Sequence, residues 1–257
     1  GINAIITIET NGLLLSDALI KELQENDIRI SVSIDGNEIV HDSQRVFANG
    51  MGTHQLVEDK IKNFQKITGE NVSSISTITR NSMDHIEEIM SYLTNELHLS
   101  NMKMNFVHRS CFSNNDELCL SSEEISSAVQ RILDCIIKLH KQNVGVFDYN
   151  TAKRIDVCLS NGCNGGRRMI TIDRHGDIYP CDVTDFPEEK LGNIFDGKNL
   201  VELVKDAITK KAYFKLKSSD NCKSCPWSYY CRGGCTVHMK CALEDKDVDD
   251  IECAINR

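Results

Sequence analysis

The sequence has no excess of positive charge and no long apolar run, and each absence excludes something. Its 257 residues carry 29 Lys and Arg against 38 Asp and Glu, a net charge of −9. Nucleic acid and anionic membrane surfaces therefore have no electrostatic claim as partners. No apolar stretch reaches the roughly 18 residues that a membrane span requires, and no signal-peptide pattern opens the chain. Internal repeats and low-complexity linkers are also missing, so the regions of the chain are expected to pack together. There is no initiator methionine, and Gly-Ile-Asn-Ala-Ile-Ile-Thr-Ile-Glu reads as a buried strand that begins at once, so the chain is expected to be a fragment. The hydrophobic fraction of 40% and charged fraction of 26% are those of an ordinary globular protein. The length suits one large domain plus a small one.

Cysteine is abundant, with twelve in the chain. Seven follow the pattern Cys163-x12-Gly176-x4-Cys181, Cys222-x2-Cys225-x5-Cys231-x3-Cys235 and then Cys253, and Cys158 just upstream makes an eighth. Eight thiols suffice for two four-ligand sites, and thiolates at such intervals converge on soft metal centres, either iron–sulfur cubanes or zinc. A disulfide framework belongs to short secreted scaffolds, whereas a long, helix-rich chain with CxxC spacing fits a reducing cytoplasm. Cys111, Cys119, Cys135 and Cys241 lie outside the pattern. Their simplest reading is as small core residues or ordinary thiols.

Strand and helix signals alternate through the first 145 residues or so. Strands are expected at Asn3–Glu9, Ile28–Ile34, Val72–Ile78 and Met102–Val107 from their β-branched and apolar runs. Helices are expected after Ser16 (Leu19, Ile20, Leu23), from Thr53 to Thr68 (Val57, Ile61, Phe64), over 82–97, and from Ser122 to Asn143 behind the capping box Ser121-x-x-Glu124. Four βα units in a row predict an α/β fold with a parallel sheet. Near Phe147 the character changes to glycines, short strands around Met169–Ile172 and Ile178–Tyr179, and cysteine clusters, with an amphipathic helix over 197–212. A hairpin turning at Arg174-His175-Gly176-Asp177 would bring Cys163 and Cys181 together.

The hairpin Gly176-Asp177-Ile178-Tyr179-Pro180-Cys181, the following Leu191-Gly192-Asn193-Ile194 and Cys231-Arg232-Gly233-Gly234-Cys235 resemble the SPASM domain of radical S-adenosylmethionine (SAM) enzymes, over residues 158 to 253. That resemblance implies two auxiliary 4Fe–4S clusters, one on Cys158, Cys163, Cys181 and Cys235 and the other on Cys222, Cys225, Cys231 and Cys253. If Cys158 ligates elsewhere, the first cluster keeps an iron open for substrate. A pair of structural zinc ribbons is the alternative that spacing alone leaves standing. Asp182 follows Cys181 in a Tyr-Pro-Cys-Asp arrangement. It is similar to the proposed general base of anaerobic sulfatase-maturing enzymes, and the alternative is a turn-capping Asp. A carboxylate beside an anionic cluster would have its pKa raised, which suits a base.

Further upstream, Thr10-Asn11-Gly12, Ser33-Ile34-Asp35-Gly36, His41-Asp42 and Arg45 resemble the middle strands of a radical SAM barrel. The resemblance implies that Asn11, Ser33, Asp35 and Arg45 line the pocket for S-adenosyl-L-methionine at the C-terminal ends of the strands. Without it, Asn11-Gly12 and Asp35-Gly36 are turn dipeptides. The implied architecture is the C-terminal part of a partial (β/α)6 radical SAM barrel over 1–146, contributing strands 3 to 6, followed by a small Cys-rich SPASM α+β domain with a β-hairpin over 147–257.

The CxxxCxxC loop that holds the SAM-cleaving cluster of this family, and its Gly-Gly-Glu segment, do not occur in the sequence. Both are expected upstream of residue 1, so this polypeptide alone is not expected to make the 5′-deoxyadenosyl radical, while a full-length parent with a third 4Fe–4S cluster is. The implied activity is that of a peptide or protein maturase forming a thioether or carbon–carbon crosslink, or formylglycine. Its implied partners are a Cys-containing precursor peptide or sulfatase, and an electron donor such as flavodoxin or ferredoxin. An electron-transfer or peptide-binding module without radical chemistry, and a zinc-ribbon interaction protein, are the other readings.

Overall fold

The computed structural model describes residues 4–107, 117–148, 163–166, 168–184, 186–210, 223–226, 228 and 234–237. They fall into two compact units, one of 4–107 with 117–148 and the other from 163 onwards.

The first unit is a parallel five-stranded sheet in sequence order: β1 (Ile6–Thr10), β2 (Ile28–Ser33), β3 (Ser73–Ile78), β4 (Asn101–Phe106) and β5 (Phe147–Asp148). The expected α/β fold is present, and each parallel crossover carries helical structure, as parallel connections require. Helix α1 (Asp17–Glu25) starts at Ser16, whose hydroxyl accepts from the Leu19 N–H. A short helix, α2 (Glu38–Asp42), follows β2, and α3 (His54–Thr68) crosses to β3. The segment expected as one helix over 82–97 has three geometries: a 3₁₀ turn at Met83–His85, α4 (Ile86–Ser91) and a π turn at Tyr92–Glu96. The change keeps Ile86, Ile89, Met90, Leu93 and Leu97 all buried. Helix α5 (Ser122–Lys141) opens with the expected capping box, the Ser121 hydroxyl and Glu124 carboxylate each accepting from the other's backbone N–H.

The strands divide their two faces by alternation. On one face Ile30, Val32, Met102 and Met104 are buried, in a core shared with Ile20 and Leu23 of α1, Ile61 of α3 and Ile132 of α5. The register aligns Glu9 with Ser31, Ser31 with Ser73, Ser33 with Ile75, Ile75 with Lys103 and Thr77 with Asn105, so the opposite face is largely polar.

The opening strand differs from expectation. It runs over Ile6–Thr10, and Ile6 and Ile8 are exposed rather than buried, as is Ile5 before it. Among the described residues β1 is an edge strand that pairs with β2 alone.

The second unit holds an antiparallel sheet of β6 (Thr171–Ile172), β7 (Asp177–Tyr179) and β8 (Gly192–Asn193). Helix α6 (Leu200–Lys210) supplies Leu203, Val204 and Ala207 to a small core with Ile170, Ile178 and Leu191. The β6–β7 hairpin turns through Asp173-Arg174-His175-Gly176. The Asp173 carboxylate accepts from the N–H groups of His175 (2.8 Å) and Asp177 (2.9 Å). Gly176 has φ +81°, and a Cβ there would lie 2.7 Å from the Phe195 ring, so the tip demands glycine.

Candidate functional site

Two groups of side chains carry chemistry, one in each unit. In the first, Asp35 sits just past the C-terminal end of β2 with 1% of its surface exposed. A carboxylate so placed must be paired, and it is. Oδ2 accepts from Arg45 Nε at 2.5 Å, and Oδ1 accepts from Arg45 Nη2 at 3.2 Å and from the Thr77 N–H at 2.8 Å. The bidentate grip fixes the plane of the guanidinium and leaves Nη1 outside the pair.

His41, fully buried in α2, stands behind this pair. Its Nδ1 accepts from the Asp35 N–H (3.2 Å), which places the ring proton on Nε2, 3.0 Å from Thr53 Oγ1. Thr53 in turn donates its hydroxyl to the Arg45 carbonyl at 3.0 Å. Burial lowers the His41 pKa to about 4, despite the opposing pull of Asp35. Asp42 turns the other way, Oδ1 accepting from the Thr53 and His54 N–H groups at 2.9 Å each, so it caps the N-terminus of α3. His54 is buried edge-on to His41, with ring centroids 5.6 Å apart, and its Nε2 has no hydrogen-bond partner among the described residues.

The other pocket residues expected from sequence are placed as follows. Ser33 is half-buried at the end of β2, on the polar face of the sheet. Asn11 is exposed and its Oδ1 accepts from the Leu13 N–H, a turn interaction. The sequence marks His41 within the barrel-like motif and Thr53 only as a helix start, its position at the N-cap of α3, with no sign that the two would be bonded. It also gives no sign of the Glu9–Lys103 ion pair on the polar face of the sheet (3.1 Å).

In the second unit, Cys163 is half-buried and its sulfur accepts from the Gly165 N–H at 3.4 Å. The next glycine, Gly166, donates its N–H to the Pro180 carbonyl at 2.7 Å. That bond ties the Cys163 segment to the residue immediately before Cys181, which is 5% exposed. Asp182 is exposed beside it, and Cys225 and Cys235 are half-buried. Cys158, Cys222, Cys231 and Cys253 lie outside the described residues. Among the described residues no three His, Cys, Asp or Glu side chains form a metal-binding group. The donor chemistry nonetheless fits an iron–sulfur cluster, since backbone N–H groups directed at cysteine sulfur stabilise and tune such centres. No helix among the described residues is long and apolar enough to cross a membrane.

Four similarities bear on this arrangement. The model of SPASM, an iron–sulfur cluster-binding domain, matches residues 163–226. The chain is 23% identical over 268 residues to a cysteine-type anaerobic sulfatase-maturating enzyme of Clostridium novyi, covering 98% of this chain and 69% of that protein. It is 25% identical over 256 residues to a serine-type anaerobic sulfatase-maturating enzyme of Bacteroides thetaiotaomicron, covering 89% of this chain and 60% of the relative. Its fold matches a solved structure of native anSMEcpe with bound AdoMet and Kp18Cys peptide, with a TM-score of 0.77 at 19% identity, covering 97% of this chain and 71% of that one. The chain thus spans roughly two thirds of the length of the relatives it matches.

Proposed function

Since the chain belongs to the radical SAM/SPASM family that includes the anaerobic sulfatase-maturating enzymes, we propose that it is the C-terminal portion of a maturase that oxidises a Cys or Ser side chain of a peptide or protein to formylglycine. The observation that carries the reading is the Gly166–Pro180 hydrogen bond, which pins the Cys163 segment beside Cys181, with the Gly165 N–H directed at the Cys163 sulfur. The eight cysteines at 158, 163, 181, 222, 225, 231, 235 and 253 would hold two auxiliary 4Fe–4S clusters, in the interleaved sets implied by the sequence. When bound, the cosubstrate with its own cluster would supply radical chemistry, and auxiliary clusters held by these cysteines would offer a sink for an electron from the substrate.

The residues of this chain bind, orient and move protons. The polar sheet face, with Ser33, Thr77, Lys103 and Asn105, would line the interior of a partial barrel. Arg45 would hold an anionic group of S-adenosyl-L-methionine at the strand ends. Asp182, exposed next to Cys181, would take the substrate proton. A cysteine-containing peptide or a sulfatase would be the substrate, and a flavodoxin or ferredoxin the electron donor.

Anaerobic reconstitution of the Cys181→Ala variant tests the reading. The variant should hold about four irons fewer than the parent chain and lose one of two reduced-cluster EPR signals. Unchanged iron and both signals would refute the ligand assignment.

A further inference from the structure

Asp35, Arg45, Thr53 and His41 close a ring of hydrogen bonds. The Asp35 carboxylate holds the Arg45 guanidinium, the Arg45 carbonyl accepts from the Thr53 hydroxyl, Thr53 Oγ1 accepts from His41 Nε2, and His41 Nδ1 accepts from the Asp35 backbone N–H. Each donor and acceptor role follows from the one before it, so the ring admits a single tautomer of a neutral His41. The depressed His41 pKa agrees with that state.

We propose that His41 and Thr53 are positioning residues for Arg45. The ring fixes both the guanidinium and the backbone of Arg45, so that its remaining donor edge is presented at the strand ends before any ligand arrives. Asp35, whose two oxygens already accept three hydrogen bonds, anchors Arg45 and does not itself contact the cosubstrate. The proposal rests on the reading of this end of the sheet as the cosubstrate pocket, and it removes Asp35 from the candidate direct ligands there while keeping Arg45.

Three observations favour a positioning role over simple core packing. Thr53 and His41 are polar and buried, at 6% and 0% exposure, where apolar residues would fill the same space. The Arg45 side chain, in contrast, is 29% exposed, so the ring ends on a group that reaches solvent. Arg45 Nη1 takes no part in the bonds to Asp35, and an oriented cationic donor of this kind is suited to a carboxylate.

The test uses the 257-residue chain, S-adenosyl-L-homocysteine as probe, and two readouts: the Arg45 Nε–H resonance by NMR and the dissociation constant by calorimetry. Thr53→Val keeps the backbone N–H that Asp42 caps and removes only the hydroxyl. It is expected to abolish the slowly exchanging Arg45 Nε–H signal and raise the dissociation constant about tenfold, as loss of an oriented charged contact does. Thr53→Ser should retain both. Thr53→Val should add nothing to Arg45→Ala, because the two act through one group. His41→Gln, which keeps a donor near Nε2 but loses the Nδ1 acceptor, should repeat the Thr53→Val result and serves if that variant does not fold. An unchanged Arg45 signal and affinity in Thr53→Val, or effects that multiply with Arg45→Ala, would overturn the proposal. No probe binding by the parent chain, with the Arg45 signal responding as expected, would overturn the cosubstrate reading and leave the positioning role in place.

Discussion

Lys103 Nζ lies 3.1 Å from Glu9 Oε1, although their strands, β4 and β1, have β2 and β3 between them. Three strand spacings in a flat sheet amount to about 14 Å, and strand side chains stand roughly perpendicular to the sheet. The two tips meet because the sheet is concave on its polar face. The curved polar face is the one that carries Ser33, Thr77 and Asn105.

The ion pair itself should contribute little. Glu9 is 60% exposed and Lys103 32%, so solvent screens them. Glu9→Gln or Lys103→Met should lower unfolding free energy by less than about 1 kcal/mol in denaturant titrations. A loss of several kcal/mol from either variant would mean that the pair holds the sheet closed.

Asp35→Asn should behave quite differently. It removes the charge that pairs with Arg45 and weakens the acceptor for the Thr77 N–H, at a site with 1% exposure. Breaking one side of such a pair costs about 3 kcal/mol, measurable by chemical unfolding. A cost below that of Glu9→Gln would contradict the network.

Gly52→Ala tests the cap of α3. A Cβ at position 52 would stand 1.9 Å from Asp42 Oδ2, so the carboxylate must leave the Thr53 and His54 N–H groups. Loss of the cap together with local repacking should cost about 2 kcal/mol in the same assay. Asp42→Ala should cost about as much, and Gly52→Ala should add little in its presence.

The buried histidine sets a pH dependence. His41 faces Asp35, Arg45, Asp42 and His54, and its pKa falls from 6.5 to about 4 on folding, chiefly through burial. Above 6.5 it is neutral in both states. Below that the unfolded chain takes up a proton that the folded chain refuses until about 4, so stability falls as pH drops through this window, by at most about 3 kcal/mol. His41→Gln should flatten this part of the stability–pH curve.

Much of the framework was legible in sequence because it is written in periodicity. β2, β3 and β4, helices α3 and α5, and the hairpin around Gly176 stand within a few residues of their expected positions. The two-residue strands β5 and β8 and the five-residue α2 are too short to imprint a period. The exposure of β1 was not legible either, since an isoleucine-rich run looks the same at the edge of a sheet as at its centre. At the candidate pocket, the residue types were visible but their roles were not. Asp42, part of the barrel-like His41-Asp42 motif, is found capping a helix, while the role of Thr53 had no local signature because its bonds reach residues 8 and 12 positions away.

The central claim is that the cysteine pattern holds iron and sulfur. Anaerobic purification, reconstitution, and measurement of iron, sulfide and zinc per chain test it directly. The account predicts a brown protein with about eight irons and matching sulfide, absorbing near ~400 nm. A colourless protein with about two zinc ions and no iron would contradict it and leave a zinc-ribbon protein in its place.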